Sequence, residues 1–485
     1  MIGAGLGGLA AALRLTGAGR SVRVLEASAV PGGLAGRFAQ DGFSFDTGPT
    51  VLTMPSLIDD ALESVGERRS DWLDLRPLHP AYTAHYADGS VLRSFSDPGE
   101  MSEEVAGVCG PREAANYERL VRYLTTLFQV EYGPFMDRNL DGLSDLVRPE
   151  AATLLRMGGL RSLDSVIRRY LDDPRLRRLF TFQALYAGVS PRAARAIYGV
   201  IGYLDSIAGV SYPSGGMHAV AQALAGAVVK HGAEISYRTT ASRVELGAAG
   251  RVSAVVTAGG ERIPADVVVL NVNPATAYRD LLPPGLAPRG LRRARYSPSA
   301  FLWHVGSSAT MPSPAHHTIS FGAAWSQTFG EIIRHGRLMS DPSLLITNPS
   351  FTDPGAAPAG KQTYYVLAPC PNLANSSIDW PRLSRHYAEE IAQVLDKRGF
   401  DSNGAFSSGV EVSQTVGPAD WAAAGLPAGT PFSLAHTLGQ TGPLRHPTQH
   451  PAVDNLLFCG AGVQPGVGVP TVLLSGRLAA ARVTG

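Results

Sequence analysis

Gly3, Gly5 and Gly8 form a Gly-x-Gly-x-x-Gly spacing, and the helix-forming run Leu9-Ala10-Ala11-Ala12-Leu13 follows directly. That pattern points to a dinucleotide. Gly3 permits a tight turn, Gly5 lets a pyrophosphate approach the backbone, and Gly8 lets helix and strand pack closely. The phosphates would sit on the helix N-terminus, where free N–H groups and the helix dipole favour an anion. Ser21-Val22-Arg23-Val24-Leu25-Glu26 alternates as a strand and ends in an acid eighteen residues past Gly8. A carboxylate at that distance accepts the adenosine ribose hydroxyls and disfavours a 2′-phosphate; the alternative is a solvated strand-end acid.

The remaining reactive side chains form no evident catalytic set. No Ser-His-Asp arrangement or nucleophile elbow stands out. His316 and His317 are adjacent, and neighbours in a strand point to opposite faces, so no metal site is expected. His304 beside Trp303 and Cys459 before Gly460 read as packing residues. Cys109, Cys370 and Cys459 are far apart and form no CxxC pair, so a reducing compartment without structural zinc or disulfides is expected.

A dinucleotide loop must be held by a strand before its first glycine, yet only Met1 and Ile2 precede Gly3. Several apolar residues upstream are therefore expected. Further strands are read at Glu234–Tyr237 and Arg251–Val256, around a glycine-containing turn, and Val267–Leu270 reads as a strand buried on both faces. Residues 106–210 read as mainly helical, with Leu120, Leu124 and Leu127 on one helix face and breaks near Gly158-Gly159 and Pro174. Val469-Pro470-Thr471 leads into a helix predicted over Val472 to Ala481. No second Gly-x-Gly-x-x-Gly appears, which disfavours a reductase with two dinucleotide folds.

Composition narrows the function classes. The chain has 485 residues, 42 Lys+Arg against 41 Asp+Glu, 45% hydrophobic and 17% charged residues. It is too apolar for a disordered chain and too neutral for counterion-driven nucleic-acid binding, so no nucleic-acid partner is expected. The most apolar stretch, Ala193 to Val210, is broken by Arg195 and Asp205, and no membrane-spanning helix is read. No secretory signal is expected either, for want of a basic segment ahead of an apolar run. Arg161, Arg168, Arg169, Arg175, Arg177 and Arg178 alternate with apolar residues: a surface for anionic headgroups, or an ordinary amphipathic one.

Pro31-Gly32-Gly33-Leu34-Ala35-Gly36-Arg37 and Asp46-Thr47-Gly48-Pro49-Thr50 resemble the FAD-binding half of the glutathione-reductase and amine-oxidase flavoproteins. Within them the chain resembles the bacterial carotenoid desaturases of the phytoene desaturase type. Tyr212-Pro213-Ser214-Gly215-Gly216-Met217, Leu270-Asn271-Val272-Asn273, His316 to Gly322, Tyr364 to Pro369, and Asn455 to Gly462 with Pro465 to Pro470 carry that resemblance. Val463-Gln464 stands where family members often have Thr-His.

The resemblance implies an α/β fold: a Rossmann-like FAD-binding domain of glutathione-reductase type, a mixed-sheet substrate domain and a helical, membrane-associating insert. The FAD domain would be discontinuous over residues 1–70, 211–290 and 440–485. The substrate domain would take 71–105 and 291–439, and the insert 106–210. FAD would be held by Gly3, Ala4, Gly5, Gly7, Gly8, Glu26 and Ala27, by Gly33, Leu34 and Arg37, and by Gly48, Pro49 and Thr50. Ala241, Asn271, Gly460, Gly462, Gly468, Val469 and Pro470 complete the set, with Ala241 passing the adenine by its backbone. Asp46 is a weak candidate base, its alternative being a carboxylate that caps backbone N–H groups.

The implied activity is desaturation of phytoene or a related acyclic carotenoid to products such as lycopene, by hydride transfer to FAD. A hydrocarbon offers nothing to hydrogen-bond, so an apolar tunnel is expected, with binding by burial at roughly 25 cal/mol per Å². Quinone or oxygen would accept the electrons, and the enzyme would lie peripherally on the cytoplasmic side of the cell membrane. Alternatives in the family are a diapocarotenoid or 3,4-desaturase, a carotenoid isomerase and an oxygenase. A remote one is a non-catalytic prenyl-lipid binding protein.

Overall fold

A computed structural model describes the chain except residues 249 and 403, with residue 292 described by its backbone alone. Met1 and Ile2 lie between two strands and bond to both. Leu25 N donates to Met1 O at 2.9 Å and Gly3 N to Leu25 O at 2.8 Å, while Ile2 N donates to Val269 O at 3.0 Å and Asn271 N to Ile2 O at 2.8 Å. Outward from this centre, Arg23–Leu25 pairs in parallel with Glu234–Ser236, and Val268–Leu270 pairs in parallel with Val453–Phe458.

Side chains alternate across this sheet, as the two-residue strand period requires. Val24, Val269 and Leu457 face the helices Leu6–Gly17, His218–Lys230 and Val469–Thr484. Ile2, Leu25, Val268, Leu270, Leu456 and Phe458 face the opposite way, against Val244, Val252 and Val255. The latter belong to a three-stranded antiparallel sheet of Ala241–Leu246, Val252–Thr257 and Arg262–Pro264. The strands expected around one glycine turn, 234–237 and 251–256, thus lie in different sheets. The partner of Val252–Thr257 is the segment just before the turn, and Glu234–Ser236 is drawn to Arg23–Leu25.

A seven-stranded mixed sheet forms the second half, in the order Val410–Val416, Ser299–Ser307, Gln362–Cys370, Leu344–Thr347, His317–Ser320, Tyr82–His85 and Val91–Ser94. Helix Trp380–Lys397 covers one face, where Phe301, Trp303, Val305, Tyr364 and Val366 meet Trp380, Tyr387, Ile391 and Leu395. The alternate residues Ala300, Leu302, Tyr365 and Leu367 point to the other face, toward the glycine loop.

Helices dominate the segment between. Pro98–Cys109 and Pro111–Glu131 are followed by short helices ending in Gly199–Tyr203 and a π-helical turn at Leu204–Ala208. Leu120, Leu124 and Leu127 are buried together as predicted. Pro149–Met157 stops at Gly158, which is left-handed with φ 83°. The helical run also breaks before Pro174, which starts the next helix because its missing N–H costs nothing in a first turn capped by Asp173. Among the described residues no helix is long and apolar enough to cross a membrane.

Candidate functional site

The two helices that matter most start at the same place. Leu6–Gly17 begins after Gly5 and Val469–Thr484 after Gly468, and among the described residues no side chain caps either start. They meet because Gly476 lies directly against Gly7: a Cβ on Gly476 would fall 2.2 Å from Gly7 O. Helix axes cannot approach so closely with larger side chains at the contact. Two sets of uncapped N–H groups therefore open onto one cavity of ≈ 1310 Å³.

Glu26 sets the loop around the first helix. Its Oε2 accepts from Ala4 N at 2.7 Å and its Oε1 from Ser28 N at 2.8 Å, leaving further lone pairs directed at the cavity rim. Asn271 lies beneath the same loop. With its amide oxygen turned toward the glycines it accepts from Gly5 N and Gly8 N at 3.2 Å each. The C-terminal loop is held by Arg445, buried to 1% exposure, which donates to Ala461 O at 2.8 Å and Val463 O at 3.0 Å. Burial pushes that guanidinium down to about 10, still protonated at neutral pH. Tyr365 donates to Gly48 O at 2.7 Å and ties the Gly48–Thr50 segment to the large sheet.

Gly3, Gly5 and Gly7 line the cavity together with Glu26, Ala27, Gly33 and Leu34. So do Gly48, Pro49, Thr50, Ala241 and Asn271, and Gly460, Gly462, Gly468, Val469 and Pro470. An elongated ligand with an anionic centre, a ribose and a flat apolar end fits this set. The uncapped helix start would take the anion, the Glu26 rim would take hydroxyls, and the Gly460–Pro470 loop with Leu34 would flank the far end. The FAD implied by the resemblance matches those demands.

Four expected positions do not line the cavity. Ala4 gives its N–H to Glu26, and Gly8 packs under the loop, where a Cβ would lie 2.3 Å from Gly3 O. Arg37 and Asp46 face each other in the register of the hairpin Arg37–Gln40 with Phe43–Asp46, so both leave on one side. They line a separate cavity of ≈ 100 Å³. Arg37 is exposed and donates to Ser44 Oγ at 2.6 Å. Asp46 Oδ1 accepts from Met217 N at 2.9 Å at the start of His218–Lys230. Asp46 is therefore the backbone-capping carboxylate, not a base in the cavity. C-terminally the helix starts at Val469 instead of Val472, with Pro470 in its first turn.

His304 Nε2 meets Asp46 O at 3.0 Å, His316 meets Thr352 Oγ1 at 2.7 Å, and His317 meets Thr347 Oγ1 at 2.9 Å. Cys459 is buried beside Asn271, and burial pushes its thiol up to about 12. Among the described residues no three His, Cys, Asp or Glu side chains are grouped to hold a metal.

Beyond the loop the cavity continues between the large sheet and the helical segment. Ala300, Leu302, Leu345 and Leu367 form its floor, and Leu140, Leu146, Leu154, Ile197, Val200 and Ile201 its wall. At its outer end Leu155, Leu160, Leu438 and Leu444 line the cavity and are exposed. Leu143 and Val147 stand exposed in the same helical segment, Val147 at 84%. The arginine cluster is less free than its sequence suggests: Arg168 pairs with Asp164, Arg175 with Asp173, and Arg178 donates to Gly322 O.

Two acids inside this apolar passage were not singled out as site residues from sequence. Glu131 and Asp205 both line the cavity and are 6% and 4% exposed. Burial raises Glu131 well above the usual carboxylate range and Asp205 to about 7. A signal for Asp205 existed: it interrupts the most apolar stretch of the chain.

The chain matches the flavin containing amine oxidoreductase family over residues 6–484. It is 49% identical over 487 residues to a phytoene dehydrogenase of Streptomyces griseus, covering 100% of this chain and 94% of that one. It is 34% identical over 495 residues to a zeta-carotene-forming phytoene desaturase of Myxococcus xanthus, covering 100% and 93%. An oxidoreductase from Methanosarcina mazei has the same fold, with a TM-score of 0.65 at 17% identity and 98% of each chain covered.

Proposed function

The chain belongs to the family of flavin-containing amine oxidoreductases, and on that premise we propose that it desaturates phytoene or a related acyclic carotenoid to more conjugated products such as lycopene. The protein is an oxidoreductase with FAD as cofactor. Bound FAD supplies a two-electron acceptor, which no side chain provides.

One observation carries the choice of substrate: the passage from the glycine loop to the surface is long, apolar and nearly free of charge. A hydrocarbon gains there by burial alone, at roughly 25 cal/mol per Å². Leu302, Leu345 and Leu367 exclude water from the reacting end and hold the chain against the sheet. Backbone N–H groups of Gly468, Val469 and Thr471 favour negative charge at the inner end of the cavity.

Peripheral binding to the cytoplasmic side of the cell membrane belongs to this reading, with quinone or oxygen taking the electrons. Exposed Leu143, Val147, Leu155, Leu160, Leu438 and Leu444 favour it, because a substrate confined to lipid must enter from lipid. The test is anaerobic. FAD-loaded protein is mixed with phytoene in liposomes, and flavin absorbance is followed while pigment is extracted. Bleaching together with a coloured polyene is expected, and the absorption of the polyene gives the number of double bonds formed. Flavin that stays oxidised with phytoene and with partly desaturated carotenoids overturns the proposal.

A further inference from the structure

Resting on the desaturation reading above, we propose that the Asp205 carboxylate is the proton acceptor of the reaction, taking the hydrogen that leaves the hydrocarbon as H⁺. Removing hydrogen from two adjacent CH2 groups breaks two C–H bonds and forms one C=C bond. One hydrogen departs with its electron pair to the flavin, which is reduced by two electrons. The other departs without electrons and must find a base inside a passage built to exclude water.

Asp205 meets that requirement by position. It stands on the π-helical turn Leu204–Ala208, a helix irregularity of the kind found at functional sites, and it lines the apolar cavity. Its Oδ2 has no hydrogen-bond partner among the described residues. A buried carboxylate without partners costs stability and calls for a functional reason. The ionisable groups interacting with it are the hydroxyls of Tyr82 and Tyr186, both buried. Tyr186 lines the same cavity as Tyr365, whose hydroxyl bonds Gly48 O on the cofactor-binding segment. Asp205 and Gly48 of the cofactor-binding segment thus open onto the same cavity.

Burial pushes Asp205 up to about 7, so near neutral pH about half of it is the carboxylate that accepts H⁺. Glu131, also buried in the passage, is likewise raised well above the usual carboxylate range by burial. A base with its pKa near the working pH is the effective one, and removing such a group typically costs about 10²–10⁴-fold in rate.

The experiment uses the full-length, FAD-loaded protein as wild type, Asp205→Asn and Asp205→Glu. Anaerobic single-turnover bleaching with phytoene in liposomes is recorded from pH 5.5 to 9. A hydrophobic carbodiimide, which modifies protonated carboxyls in apolar surroundings, is used in parallel and its site read by mass spectrometry. Wild-type bleaching is expected to rise through about pH 7 and level off. Asp205→Asn should bleach at least 10²-fold more slowly without that rise while binding FAD normally, and Asp205→Glu should restore part of the rate. Carbodiimide should label Asp205 in the wild type, less so above pH 8, and bleaching should fall in proportion.

Asp205→Asn bleaching at the wild-type rate with the wild-type pH profile overturns the role of Asp205 and leaves desaturation standing. Wild type that labels at Asp205 but forms no polyene overturns desaturation, and the proton-acceptor role with it. Should neither variant hold FAD, the modified wild type decides: unchanged bleaching after complete labelling of Asp205 overturns the assignment.

Discussion

Gln464 and the backbone of Leu140 exchange two hydrogen bonds: the side chain accepts from Leu140 N at 3.1 Å and donates to Leu140 O at 2.8 Å. The loop that closes the inner cavity is thereby fastened to the segment that walls the outer passage. Both residues are 2% exposed, so neither partner can turn to water instead.

Gln464→Leu should leave the Leu140 N–H and C=O buried and unpaired, at about 1–3 kcal/mol for each group. The expected outcome is a lower denaturant midpoint for the FAD-loaded protein, with the far-UV spectrum unchanged. Equilibrium unfolding followed by flavin fluorescence measures it.

Glu26→Ala removes the acceptor for Ala4 N and Ser28 N and the carboxylate at the cavity rim. Hydrogen bonds to a charged group contribute about 1.5–3 kcal/mol each, so FAD affinity should fall by roughly 10–100-fold. A fluorescence titration of the apoprotein with FAD reads this directly.

Gly476→Ala should drive the helices Leu6–Gly17 and Val469–Thr484 apart, since its Cβ would overlap Gly7 O at 2.2 Å. Loss of bound FAD and of soluble yield is expected. Gly107→Ala is the control: its Cβ meets nothing within 4 Å, and it lies inside the helix Pro98–Cys109. Helix propensity alone predicts a gain of about 0.5–1 kcal/mol there.

Acid should unfold the protein with net proton uptake. His304, His316, His317, His436 and His446 are buried and held below the usual histidine value, His304 and His446 at about 4. Unfolded, each titrates near 6.5, so between about pH 4 and 6.5 the unfolded chain binds protons that the folded chain does not. This contribution to stability is complete above pH 6.5 and is lost as pH falls toward 4. Asp46, raised to about 6 by burial, acts with the opposite sign, because the folded state holds its proton first. Unfolding free energy measured against pH should therefore rise from pH 4 to 6.5 with a slope below five protons, and His304→Gln should reduce that slope.

Leu155→Ser with Leu160→Ser should weaken binding to liposomes, since each buried leucine contributes about 1.5–3 kcal/mol. Co-sedimentation with lipid-loaded vesicles measures the loss. Unchanged sedimentation would place the contact on another face.

Local signals were legible because they depend on backbone geometry within a few residues. The Gly3–Gly8 spacing, the acid at Glu26 and the apolar strand ending at Leu270 are each local patterns, and in the folded chain Gly3, Gly5 and Glu26 line one cavity while Val268–Leu270 is a buried parallel strand. Arg37, placed at the cofactor by resemblance, lines a separate cavity instead. Its direction depends on the hairpin register opposite Asp46, which is a pairing across the chain.

Amino-acid sequence by itself determined the dinucleotide loop, the alternation of buried strands and the resemblance to carotenoid desaturases. These follow from residue types at short, regular spacing. Only the tertiary structure decided that Gly476 rests on Gly7, that Gln464 clasps Leu140, and that Asp205 faces an apolar passage with its Oδ2 unpartnered among the described residues. Each of those joins residues more than a hundred positions apart or depends on which side of a helix turn faces a cavity. No local periodicity encodes such contacts; packing of the two sheets and the helical segment around one cavity creates them.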